Sequence, residues 1–225
     1  MPNVVLHQWE ISPFCGKVRK ILKLKGIPYT TVNYNGLKAA KAAKLSPAGK
    51  LPVLDYDGER IQDSSAIALF IEQKHPAKSL YPENQVEKAR ARIWEDWADE
   101  SLYWYEVYFR FMDPIVLPRV LALLCEGRPA WERIVFSFVA KREITGKLRA
   151  QGIGRLSRER VEGNFFGHLN AISTVLGERM WIVGDHISMA DIAVAAQIDE
   201  VIRTSPLRDH VLAYPNLAAW LARCA

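Results

Sequence analysis

Ser12-Pro13-Phe14-Cys15, Gly49-Lys50-Leu51-Pro52-Val53 and Asp63-Ser64-Ser65-Ala66-Ile67 all fall within residues 12–67. The first and third read as helix starts, because Ser and Asp are favoured N-caps and proline is at home in the first turn. The second opens a strand on a proline, the position where a missing N–H costs least. Around them the chain alternates between element types. Val4–Gln8 predicts a strand, and Pro13–Lys25 a helix with Val18, Ile21 and Leu22 on its apolar stripe and Gly26 as its stop. Tyr29–Tyr34 predicts a second strand, and Leu37–Leu45 a short exposed helix. Pro52–Tyr56 and Glu59–Gln62 flank Asp57-Gly58, a two-residue hairpin signal, and Ser64–Lys74 predicts a helix ended by His75-Pro76. The order βαβ then ββα implies an α+β domain with a mixed four-stranded sheet covered by helices. Ser12, Pro52 and Ser64 would then meet at one end of that sheet.

From residue 76 the pattern changes. Residues 76–84 are rich in turn formers and predict a connection. The remainder of the chain reads as helix: Glu87–Met112, broken by Pro114 and Pro118, then Pro129–Leu148, Arg158–Leu176, Ala190–Ile202 and Asn216–Arg223. The expected division is residues 1–78 and an all-α domain over residues 85–225. Within Glu87–Met112, Trp94, Trp97, Trp104 and Tyr108 recur at helical spacing. Such a stripe serves a core, a subunit interface or the wall of an apolar pocket.

The totals narrow the function classes. Hydrophobic residues make up 49% and charged residues 24%, a soluble globular composition. No run approaches the roughly 20 apolar residues that span a bilayer, and the N-terminus lacks the basic start and apolar run of a secretory signal. Three widely spaced cysteines, Cys15, Cys125 and Cys224, suit a reducing compartment better than a disulfide framework. These features predict a cytoplasmic protein that does not enter a membrane. Residues 1–80 carry twelve Lys and Arg against six Asp and Glu, a balance that suits an acidic ligand. Lys17, Arg19, Lys20, Lys23 and Lys25 are assigned to a solvated helix face, so no nucleic-acid partner is expected.

Each motif has a structural and a functional reading. A Ser12 hydroxyl at a helix N-terminus, beside free N–H groups and the positive end of the dipole, also stabilises an anion such as a thiolate. If the Leu51–Pro52 bond is cis, Leu51 would turn its backbone N–H and C=O outward to pair with an extended peptide. Asp63 with the Ser64 hydroxyl and N–H could grip the ammonium and carboxylate of an amino acid. Their joint order and spacing carries more weight than any one of them.

With these residues in view, the chain resembles the cytosolic glutathione S-transferases along nearly its whole length. Residues 1–75 resemble the family's thioredoxin-like glutathione-binding domain, including Pro47-x-Gly49-Lys50-x-Pro52 and Asp63-Ser64-x-Ala66-Ile67. Trp181-Ile182-Val183-Gly184-Asp185-His186-Ile187-Ser188-Met189-Ala190-Asp191 resembles the mark of its helical domain. Ser188 and Asp191 there form a capping-box-like pair, with Ile187 and Ile192 at the staple positions, so this motif is structural. Ser12 falls where the tau- and zeta-like members carry their serine. Cys15 falls at the second cysteine of a redox pair whose first position is Ser12.

The resemblance implies a glutathione transferase with glutathione as co-substrate and no metal. Ser12 would activate the thiol, and Lys38, Leu51, Pro52, Asp63 and Ser64 would hold the tripeptide, Lys38 at its glycine carboxylate. Asp63 stands where the family more often has Glu or Gln. Phe14, Trp104 and Tyr108 would line the site of a hydrophobic electrophile between the domains. A homodimer is implied. Two other readings stay open: a non-catalytic binding or scaffold protein of the same fold, and a thiol–disulfide reductase or peroxidase using Cys15.

Overall fold

The β-prone run Val4–Gln8 forms strand β1, next to the middle of a sheet ordered β2-β1-β3-β4. A computed structural model describes residues 2–225. β2 (Thr30–Asn33) runs parallel to β1, while β3 (Val53–Tyr56) and β4 (Glu59–Gln62) complete an antiparallel meander beside it. The hairpin turn places Asp57 at φ 49° and Gly58 at φ 88°. Both positive angles belong to the tight turn whose twist matches the flanking strands. Helices α1 (Pro13–Lys25) and α2 (Ser64–Lys74) pack together and bury Val18, Ile21, Leu22, Ile67, Ala68 and Ile71. Leu6, Val53 and Leu54 of the strands are equally buried. The chain turns sharply out of α1 because Gly26 adopts φ 68° and its N–H closes the last turn.

The basic residues of α1 correct the sequence reading. Lys17 is only 1% exposed and donates to Ser65 Oγ at 2.9 Å. It stands one turn before Ile21, so the helical period itself turns it inward. Lys25 Nζ is enclosed by Glu72 at 2.5 Å and by the carbonyls of His75 and Ala77. These two lysines tie α1 to α2. The expected exposed helix at Leu37–Leu45 is a 3-10 segment over Gly36–Lys44.

By its contacts the chain divides into two units. One runs to Leu80 and takes in Leu121–Phe136; the other holds Tyr81–Val120 and Ser137–Ala225. The helices beyond the sheet are α3 (Gln85–Trp97), α4 (Tyr103–Phe111), α5 (Leu117–Leu124), α6 (Ala130–Gln151), α7 (Arg158–Leu176), α8 (Met189–Thr204), α9 (Arg208–Leu212) and α10 (Pro215–Arg223). Two of them are not visible in the sequence. Pro118 reads as a break but sits in the first turn of α5, where its N–H is not needed. α9 has five residues, too few to show a period.

α8 is buried almost all round, and its alanines at 190, 193, 195 and 196 let α3 and α4 approach closely. Two buried polar groups fix it. Asp191 accepts from the N–H of Ile182 and Trp220 Nε1 at 2.8 Å, and from the N–H and hydroxyl of Ser188 at 2.9 Å. Further along, Arg110 of α4 donates to Glu200 Oε2 at 2.6 Å and pairs with Glu106. The Glu106 carboxyl is pushed up to about 7, chiefly by burial and further by the charge of Glu200, with Arg110 opposing the rise.

Two measurements test this core. Between the ordinary Glu range and pH 7 the folded chain holds a proton on Glu106 that the unfolded chain has released. Its stabilising contribution is therefore present at low pH and lost as pH rises through about 7. Denaturation midpoints of the wild type should fall from pH 5.5 to 8 with a contribution of about 2 kcal/mol, and Glu106→Gln should flatten that slope; identical slopes would contradict the assignment. Asp191→Ala strands four donors and should cost about 3–5 kcal/mol in urea unfolding. A loss below about 1 kcal/mol would show that the carboxylate is not the anchor.

Candidate active site

The sheet register brings the sequence motifs together. β1 and β3 run antiparallel with His7 opposite Val53, and β3 and β4 pair Val53 with Gln62. Pro52, entering β3, and Asp63, leaving β4, therefore stand at the end of the sheet where β1 finishes. Ser12 is at the same end, since its N–H closes a turn onto the carbonyl of Trp9, immediately after β1. β2 ends there too, with Asn33 opposite Gln8, and leads through Tyr34 and Asn35 into the segment bearing Lys38.

Ser12 is the N-cap of α1, yet its cap bond is long: Oγ accepts from the Cys15 N–H at 3.4 Å. A hydroxyl that accepts still has a proton to donate. Ser12 is half-buried, and no acidic residue occupies the first turn of α1 to compete for the helix end. Cys15, three residues on, is 0% exposed, as a small core residue would be. The redox reading requires this thiol to be accessible, and it is not.

At the opposite wall, Asp63 adopts φ 74° and caps α2, its Oδ1 accepting from the N–H of Ser65 at 2.9 Å and of Ala66 at 3.1 Å. A non-glycine residue in this region is strained by on the order of 1–3 kcal/mol. Asp63 is exposed and Ser64 buried. The N-cap reading of Asp63 is thus realised, while its second oxygen lies outside the cap bonds. The Leu51–Pro52 peptide is cis. Lys38 is half-buried, with its N–H on the Asn35 carbonyl at 3.2 Å and its Nζ 5.2 Å from the centre of the Tyr34 ring.

A polar layer beneath this end escapes sequence reasoning. Buried Gln8 donates from Nε2 to Asn33 Oδ1 at 3.0 Å and accepts on Oε1 from Arg19 at 2.7 Å. Trp9 Nε1 donates to the Tyr34 carbonyl. These bonds lock the end of β1 to the end of β2. Only the change from apolar to polar residues over the last two positions of β1, His7 and Gln8, hints at them.

The residues offered for an apolar co-substrate are distributed over both units. Phe14 is half-buried in the first turn of α1, and Trp104 and Tyr108 lie in α4, Tyr108 buried. The aromatic stripe differs from the one that the α-helical period predicts. Between α3 and α4 the helix passes through a π turn over Ala98–Leu102. The wider turn holds one extra residue and rotates everything beyond it by about 100°. Tyr105 thereby takes the place of Trp104 below Trp97. Both meet His168 of α7 edge-on, at 5.4 Å from Trp97 and 5.1 Å from Tyr105, and the Tyr105 hydroxyl lies 3.2 Å from His168 Nε2. Burial lowers the His168 pKa.

Among the described residues no group of three or more His, Cys, Asp or Glu is arranged to hold a metal ion, and no helix is long and apolar enough to cross a membrane.

Comparison with known proteins fits this geometry. Residues 13–116 match the family model of the glutathione S-transferase N-terminal domain, and residues 156–223 that of the C-terminal domain. A protein of Rhodococcus sp. strain AD45 named isoprene-epoxide–glutathione S-transferase is 27% identical over 221 residues, 95% of this chain and 91% of that one. Glutathione S-transferase U3 of Arabidopsis thaliana is 34% identical over 101 residues, 44% of each chain. The crystal structure of a Methylobacterium radiotolerans glutathione S-transferase in complex with glutathione sulfonate superimposes with a TM-score of 0.65 at 26% identity, covering 98% of this chain and 89% of that one. With two domain models of one family in their expected order and a relative aligned from end to end, the chain belongs to the glutathione S-transferase family and is a transferase.

Proposed function

We propose that this transferase activates glutathione as its thiolate through the Ser12 hydroxyl and directs it at a hydrophobic electrophile. The observation that carries the reading is the half-buried Ser12 at the mouth of α1, weakly engaged as a cap and with a proton to donate. A thiol of pKa near 8.5 is about 3% ionised at pH 7. Making the thiolate dominant takes a shift of roughly two units, about 2.7 kcal/mol. One hydrogen bond to a charged group contributes on the order of 1.5–3 kcal/mol, and the helix end adds to it. Ser12 acts as a donor to sulfur and forms no covalent bond.

Residues 1–78 would serve as the glutathione-binding domain, with Lys38, Leu51, Pro52, Asp63 and Ser64 as contacts. Residues 85–225 would supply Trp104 and Tyr108 for the co-substrate, alongside Phe14. In Asp63 one carboxylate oxygen caps α2, which leaves the other for the ligand's ammonium. We assign the protein to the cytoplasm as a homodimer, in keeping with its family.

An epoxide is the first electrophile to test, because the relative aligned over 95% of the chain is named for one. Thiolate attack forms a C–S bond and breaks a ring C–O bond, and the alkoxide so released takes a proton from water. The entropy of bringing sulfur and carbon together is met by holding both. Buried Cys15 supports this reading over thiol–disulfide exchange.

Ser12→Ala should lower kcat/KM for conjugation by one to three decades, about 1.5–4 kcal/mol, with glutathione affinity little changed. Assayed across an epoxide and an activated aryl halide, undiminished turnover would remove Ser12 from the mechanism. In a spectroscopic titration, enzyme-bound glutathione should ionise well below pH 8.5 in the wild type and near it in the variant; equal ionisation in both would count against the donor role.

A further inference from the structure

The segment carrying Lys38 leaves the sheet at Asn33 and needs other anchors. Asn35 is the N-cap of the 3-10 segment, yet its side chain makes no cap bond; its amide instead donates to the Glu126 carbonyl at 2.9 Å. The orphan N–H groups of this first turn need an acceptor. Leu37 finds one in a side chain 95 residues away, donating to Glu132 Oε2 at 3.2 Å. Glu132, in the first turn of α6, is only 4% exposed. Arg128 holds its carboxylate from two sides, Nε to Oε2 at 2.9 Å and a terminal nitrogen to Oε1 at 2.5 Å. Gly36 fits the approach: at φ 56°, a Cβ there would stand 2.8 Å from Glu132 Oε2 and 3.1 Å from Arg128 Cγ. Between the two segments runs a polar groove of about 330 Å³, with Lys38 and Asn33 on one side and Glu126 and Arg128 on the other.

We propose that Glu132 is a positioning residue for glutathione binding, capping from a distance the turn that presents Lys38. A carboxylate at a helix N-terminus satisfies donors and favours the dipole. Here its second role is spatial, since it fixes the origin of the Lys38 side chain. Residues 126–132 lie between the stretches that the two family models match, 13–116 and 156–223. The clamp therefore lies in the segment between the two matched stretches. The inference rests on the reading that Lys38 holds the glycine carboxylate of glutathione.

The test is a double-mutant cycle on the full chain, reading the Kd of glutathione by calorimetry and the KM values by conjugation assay. Lys38→Ala should weaken glutathione binding five- to twentyfold; no change would refute the assignment of Lys38 itself, and with it the clamp. Given that loss, Glu132→Ala should raise the glutathione KM by three- to tenfold, with kcat and the electrophile KM within twofold. Combined with Lys38→Ala it should add less than twofold. Independent multiplication of the two effects, or no effect of Glu132→Ala, would overturn the proposal while leaving Lys38 in place. Glu132→Gln retains an acceptor oxygen for Leu37 and should recover most of the affinity. Should Glu132→Ala fail to fold, Glu132→Gln and Gly36→Ala are read by the same criteria. Gly36→Ala, which drives a methyl into the carboxylate, should raise the glutathione KM without lowering kcat.

Discussion

The antiparallel pairing of β1 with β3 is the constraint on which the candidate site depends. Because His7 faces Val53, the end of β1 and the entrance to β3 share one edge, and every motif of the first unit is delivered there. A slip of one residue would turn Leu6 and Leu54 out of the core and carry the Ser12 turn away from Pro52. The apolar side chains that set the register therefore also set where these motifs stand. The side-chain bonds of Gln8 and Trp9 act on the same edge, holding the end of β2 against the end of β1.

The two units solve different problems with buried polarity. In the helical unit, Asp191 and the Arg110 cluster lie in surroundings that contain their partners and join elements far apart in sequence. Breaking one leaves a buried group exposed to no water, which is why such groups specify one arrangement sharply. In the first unit the polar residues gather at the rim. There Ser12 and Asp63 each cap a helix start, and under the proposed function they also face the ligand, with Lys38 beside them. A helix start serves this double use well, since its unpaired N–H groups must be satisfied by something.

The range of each interaction decides how much of it is legible in the sequence. The boundaries of α1, α2, α7, β1 and β4 agree with the reading of their caps, periods and turn signals, all of which act within a few residues. Ser12, Pro52, Asp63 and Ser64 can be named because each sits at such a punctuation point. The π turn at Ala98–Leu102 leaves no mark in the period, so a regular helix puts the aromatic stripe in the wrong phase and passes over Tyr105. Charge assigns Lys17 to solvent, although its phase with Ile21 points inward. The Arg128–Glu132 pair has ordinary i,i+4 spacing, but nothing in it signals the contact with Leu37, which lies 95 residues upstream.

The three cysteines, Cys15, Cys125 and Cys224, are all buried. A sulfhydryl reagent approaching the folded chain meets core packing at every one of them, and burial holds the Cys125 thiol in its protonated, unreactive form. Modification can then proceed only through openings of the structure, so its rate becomes a clock for local unfolding around each sulfur. An enzyme that handles a reactive small thiol thus carries its own thiols where oxidants reach them last.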